Sequence, residues 1–249
     1  LDHPECVAIH PDGSVWAGGE GGQIYKMHFK SGEKFEDLKV IGTCLKKETG
    51  TTIRFCPDPQ YFDTPKFQLS SLRHTLRAKA VLCPGLKIKL VDHINQKEES
   101  WCFESGLTQY LEQSLDGFEK LLPNPLRGDH LESNNQVSWA INWLDINKDV
   151  VRESYVNLIP TLSGGTHVNG LRLGLLEAMR EFCQLRQLLP RGVKLAPEDI
   201  WSGCQYVLSI KIQDPQFQGQ TKERLLNRQA AGFVSTVIKD DFSLWLNKH

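Results

Sequence analysis

Two long amphipathic helices with one alternating strand between them constrain this chain most. Leu171, Leu175, Met179, Phe182 and Leu189 recur at helical spacing after Gly170. Leu226, Ala230, Phe233, Val237, Phe242 and Trp245 repeat the pattern in a terminal helix predicted from about Thr221 to Leu246. Between them Tyr206-Val-Leu-Ser-Ile-Lys-Ile212 alternates as a strand does. Helices that each bury one stripe need a partner layer, and the strand places that layer in a sheet, so the fold class is α+β.

The strand delivers the chain to Asp214-Pro-Gln-Phe-Gln-Gly-Gln-Thr-Lys222, which enters the terminal helix through a glycine. Here Gln220 and Lys222 are expected near the positive end of that helix, where an amide, an ammonium and free backbone N–H groups suit a phosphate. The plainer alternative makes Thr221 an N-cap and leaves Lys222 in solvent. Charge decides how local such a site must be: 29 basic against 30 acidic residues give a net charge of −1, so no bulk field attracts nucleic acid or an anionic surface. Gly164-Gly-Thr-His-Val-Asn-Gly170 is the second motif, with Thr166 as expected N-cap. No nucleophile or carboxylate dyad accompanies His167, which therefore reads as a packing histidine and not a general base.

Upstream, Ile24–Phe29 and Leu38–Ile41 form an expected antiparallel pair across Ser31-Gly32, and Gly50–Asp58 reads as a third strand stopped by Pro57. A helix capped at Thr64-Pro65 follows, with Leu69, Leu72, Leu76 and Ala80 inward; Arg73, Arg77 and Lys79 read as a solvated face or as a basic rim for DNA. Leu86–Leu90 pairs with Trp101–Phe103, a short helix spans Gly106–Leu115, and Leu122–Gly128 is a loop. Val137–Trp143 and Ser154–Ile159 are two facing strands, and Pro197-Glu-Asp199 opens a short helix. Seven scattered cysteines without a C-x-x-C pair read as free, mostly buried thiols of a reducing compartment. No apolar run approaches a membrane span, so the chain reads as cytoplasmic.

Residues 1–22 have a different texture: Val7–Ile9 and Ser14–Ala17 around a Pro-Asp-Gly turn make one hairpin. This stretch resembles one blade of a strictosidine-synthase-like or gluconolactonase-like propeller, in which Glu5 would be a metal ligand. From Gln23 onward the chain resembles the transducer domain of the B subunit of bacterial type IIA topoisomerases, nearer to the topoisomerase IV branch than to gyrase. Six ordered blocks carry the likeness: Gly50-Thr51 with Phe55-Cys-Pro-Asp58, Ser154-Tyr-Val-Asn, Gly164-Gly-Thr-His167, Leu189-Pro-Arg-Gly192, Glu198-Asp-Ile200, and Asp214 to Lys222. The domains expected are therefore 1–22 and 23–249.

The resemblance implies a ribosomal-protein-S5-domain-2-like sandwich with a left-handed βαβ crossover and a long C-terminal helix. It also implies that Gln220 and Lys222 contact the γ-phosphate of ATP and that Arg172 lines a cavity for duplex DNA. ATP and Mg²⁺ are the implied cofactors; the implied partners are duplex DNA, the topoisomerase IV A subunit and a second B subunit. The family's adenine-binding, Mg²⁺-binding and toprim residues find no place in the sequence, so no catalytic residue is assigned and turnover by the chain alone is not expected. Two other classes stand beside this one: a metal-dependent propeller-type hydrolase anchored on Glu5, and a non-catalytic module that binds a partner through its sheet.

Overall fold

Alternating β-branched and aromatic residues on either side of Ser31-Gly32 give strands β3 (Gln23–Lys30) and β4 (Glu33–Thr43), which pair antiparallel as expected. The computed structural model describes residues 4–9, 14–19, 22–30, 33–43, 64, 66–145, 149–190 and 192–249, and they divide into two units at Leu69 and Ser70. In the first unit the predicted hairpin, β1 (Pro4–Ile9) and β2 (Ser14–Gly19), extends the same sheet in the order β1-β2-β3-β4. The domain boundary expected after residue 22 falls between β2 and β3, which are hydrogen-bonded neighbours, with Val15 opposite Met27 and Ala17 opposite Tyr25. The strand expected at Gly50–Asp58 lies outside the described residues.

The second unit opens with α1 (Leu69–Leu82), which starts four residues later than a cap at Thr64 predicts. Thr64, Lys66, Phe67 and Gln68 are all exposed, so no burial holds an earlier turn in helical form. A tight hairpin follows, β5 (Ile88–Asp92) with β6 (Lys97–Trp101), its turn fixed by Asp92 Oδ1 accepting from the N–H groups of Ile94 and Asn95. Next come α2 (Gly106–Ser114), β7 (Leu126–Glu132), β8 (Asn135–Trp143), β9 (Arg152–Val156) and the short β10 (Ile159–Pro160). Then α3 (Thr166–Leu185), α4 (Pro197–Trp201), β11 (Cys204–Lys211) and α5 (Arg228–Lys248) complete the chain.

Strands β7 to β11 form one mixed sheet in the order β10-β9-β11-β8-β7. Two expectations are corrected here. Leu126–Gly128 is strand and not loop, because past Pro125 the chain pairs with β8, Leu126 opposite Ile141. Strands β8 and β9 do not face each other, because β11 lies between them, antiparallel to β8 and parallel to β9. A parallel pair needs a crossover, and α3 supplies it. All of β11 except Lys211 is buried, since both sheet faces are covered. On one face Trp139, Ile141, Leu208 and Ile210 pack with Leu171 and Leu175 of α3 and with Val234 and Ile238 of α5. On the other, Ala140, Val207 and Tyr155 pack with Val81 of α1 and Leu111 of α2. Helices α3 and α5 meet at glycines: a Cβ on Gly170 would stand 2.5 Å from the Ala231 carbonyl oxygen, and one on Gly174 2.6 Å from that of Ser235.

Candidate functional site

Gln220, Thr221 and Lys222 form the exposed tip of a hairpin-like loop between β11 and α5. Its two arms are tied by Gln218 N to Arg224 O at 2.9 Å and Leu226 N to Gln216 O at 2.8 Å, with Phe217 opposite Leu225. The tip turns through Gly219 at φ 69° and Lys222 at φ 56°. Asn227 fastens the base: its Oδ1 accepts from Gln216 N at 2.6 Å and its Nδ2 donates to Asp214 O at 3.3 Å.

This geometry corrects the expected helix start. Asn227, not Thr221, stands at the cap position, and α5 begins at Arg228, so Gln220 and Lys222 are not at its positive end. Leu225 is the reason. It is fully buried, whereas Leu226, expected in the buried stripe, is 46% exposed. Leu225 N donates to Gly164 O at 3.1 Å, Leu225 O accepts from Thr166 N at 3.1 Å, and Ser163 N donates to Glu223 O at 3.0 Å. The backbone is thus committed to strand-like partners in the turn before α3 and cannot continue the helix. Gly165 makes the approach possible, at φ 137° with its α-carbon flat against the Leu225 peptide. Among the described residues Gln220 and Lys222 make no hydrogen bond or ion pair, which leaves an ammonium and an amide free on a loop whose base is fixed.

At the start of α3 the cap is Gly165 and not Thr166, whose hydroxyl is buried without a partner among the described residues. His167 is fully buried, with Nε2 3.2 Å from Thr161 Oγ1 and Nδ1 unpartnered. Thr161 Oγ1 also donates to Ser154 O at 2.9 Å and lies 2.7 Å from Ser154 Oγ. Burial lowers its pKa from 6.5 to about 4, and the ring packs as a neutral group, as expected. A folded pKa below the unfolded one contributes stability that is present above pH 6.5 and is lost as pH falls toward 4. Urea unfolding should therefore show about 2 kcal/mol less stability at about pH 5 than at about pH 7 from this residue. In His167→Gln that part of the pH dependence should vanish; an unchanged slope would mean that the ring is not buried neutral.

The arginines on α3 are engaged. Arg172 bonds to the Glu198 carboxylate of α4 and lies 5.7 Å from the Trp201 ring centre. Arg180 Nε donates to Leu195 O at 3.0 Å, and Arg186 lies over Phe182. On the face of α1 read as a solvated face or a basic rim, each cation has a partner. Arg73 pairs with Glu99 at 2.5 Å, Arg77 sits 4.8 Å over Tyr110, and Lys79 donates to Leu158 O at 2.5 Å. Cys183 and Cys204 are buried free thiols, Cys83 is half-buried and Cys102 exposed. The side chain of Glu5 lies outside the described residues, and among those no group of three metal-ligating side chains forms. No described helix is long and apolar enough to cross a membrane.

The family model described as DNA gyrase B matches residues 106–249, and one described as Strictosidine synthase-like, N-terminal, matches residues 1–27. The chain is 57% identical over 228 residues to the B subunit of DNA topoisomerase 4 from Haemophilus influenzae, covering 92% of this chain and 36% of that protein. The same protein of Escherichia coli is 56% identical over the same shares. The chain thus spans about a third of the length of these relatives, 36%. Among solved structures it is similar to the topoisomerase IV ATP-binding domain of Francisella tularensis in complex with a small-molecule inhibitor, with TM-score 0.77 and 30% identity over 98% of this chain and 81% of that one. With its family model running from the start of α2 to the last residue, more than half of its length, the chain belongs to the DNA gyrase B family.

Proposed function

We propose that the chain is the transducer part of the B subunit in an ATP-dependent type II DNA topoisomerase of the topoisomerase IV kind, with Gln220 and Lys222 contacting the γ-phosphate of ATP. The observation that carries this is the loop itself: a free ammonium and a free amide at an exposed tip, on a base bonded through Leu225 to the first turn of α3. Such a donor pair fits a phosphate. Bound ATP would supply a terminal phosphate that ADP lacks, and this is the differential contact a switch between two states needs. The transducer role rests on residues 106–249.

Displacement of the loop tip would pull on Leu225 and thus on the N-terminus of α3, the helix that carries Arg172. Arg172 is proposed to meet a phosphate of duplex DNA, which requires it to leave Glu198; such a contact is independent of sequence and weakened by salt. Other parts of a cytoplasmic assembly are assigned nucleotide binding and Mg²⁺ ligation, dimerisation with a second B subunit, and DNA cleavage, the last by the A subunit. By itself the chain is proposed to turn over no ATP. The test is ATP turnover by the Escherichia coli topoisomerase 4 B subunit carrying these residues in place of its own, with and without Lys222→Ala; equal turnover would remove the loop from the site.

A further inference from the structure

The polar half of the sheet face that α1 and α2 leave uncovered forms a cavity of about 500 Å³. Strand register sets its floor. Ser209 of β11, Ser138 of β8 and Asp129 of β7 lie in one row across three strands. Lys211 stands two residues beyond Ser209, and Arg127 two residues before Asp129, so both point to the same face. All five residues line the cavity, as does the first turn of α2 at Gly106–Thr108. In that turn Gly106 N donates to Phe103 O at 3.3 Å, while the N–H groups of Leu107 and Thr108 have no acceptor within the helix.

Several donors here lack partners among the described residues. Ser209 is only 7% exposed, yet its hydroxyl makes no hydrogen bond. Arg127 and Lys211 form no ion pair with any described residue. The one carboxylate, Asp129, is already satisfied by Gln136 Nε2 at 3.0 Å and Ser138 Oγ at 3.2 Å. Two cations against one occupied anion leave the cavity net positive and rich in donors, while Val81, Leu82 and Pro84 give it an apolar wall. A buried hydroxyl is normally paired, so Ser209, unpaired and lining the cavity between two cations that have no ion pair, points to a missing acceptor.

We propose that this cavity binds a small phosphate ester, with the phosphate held by Arg127, Lys211, Ser209 and the first turn of α2, and the organic body against Val81, Leu82 and Pro84. Its volume is in the range of small-ligand sites and exceeds what a phosphate ion alone fills. The site is separate from the Gln220–Lys222 loop and does not depend on the reading of that loop.

The test is calorimetric titration of the full chain with AMP, inorganic phosphate and adenosine at constant ionic strength. AMP and inorganic phosphate should bind saturably and compete, AMP the tighter, and adenosine should not bind. Arg127→Met and Lys211→Met, at exposed positions that leave folding intact, should each weaken AMP about tenfold. Ser209→Val, which suits a buried strand, should do the same, and Lys222→Ala should change nothing. No saturation by either anion below about 10 mM, adenosine binding equal to AMP, or full affinity in both methionine variants would overturn the proposal.

Discussion

Lys222→Ala, in the Escherichia coli topoisomerase 4 B subunit carrying this chain, is expected to lower ATP turnover at least about a hundredfold without unfolding the protein. The two effects separate because Lys222 is exposed and contributes no internal contact among the described residues. Its backbone sits at φ 56°, a left-handed conformation whose cost of about 1 kcal/mol lysine and alanine share, so the substitution adds no backbone strain. The loss should appear mainly in kcat, since an ammonium on the terminal phosphate gains most when charge develops there in the transition state. Lys222→Arg should recover part of it, because a positive charge returns with altered reach. Turnover of Lys222→Ala at the wild-type rate would contradict the assignment.

Gly165→Ala is expected to cost about 3 kcal/mol or more of stability. Residue 165 has φ 137° and ψ −160°, a region only glycine occupies freely. A methyl there would also stand 2.5 Å from both the nitrogen and the oxygen of Leu225, and neither backbone atom can move without breaking its bond to Gly164 or Thr166. The urea midpoint should fall with an unchanged slope. Gly219→Ala is the control: its φ of 69° is also positive but nothing lies within 4 Å of the added carbon, so about 1 kcal/mol is expected. Equal losses in the two variants would mean that strain alone, and not the Leu225 contact, matters at Gly165.

Periodicity located α3, α5 and β11 because each buries a regular stripe or an alternating face, but it put the second strand of the β5–β6 hairpin at Trp101–Phe103, where only Trp101 is strand. It failed where a tertiary contact overrides the local pattern. Leu225 and Leu226 are adjacent leucines, and only the turn before α3 decides that Leu225 is the buried one, which shortens α5 and leaves the Gln220–Lys222 tip a loop. The place of β11 between β8 and β9 was equally hidden, since strand order depends on a crossover that no single strand encodes. The proposed site residues were legible as an amide and a cation beside a glycine after a strand; their surroundings were not. The cavity under α2 left no sequence signal, because Arg127 comes from β7 and Ser209 and Lys211 from β11, strands separated in sequence by β8, β9, β10, α3 and α4.

The most direct measurement is hydrogen–deuterium exchange over residues 213–227 and the first turn of α3 in the same chimeric protein, with a non-hydrolysable ATP analogue and with ADP. A loop that holds the γ-phosphate and is bonded to α3 through Leu225 should exchange more slowly with the triphosphate at both places. Identical exchange in the two nucleotide states would contradict nucleotide sensing by this loop.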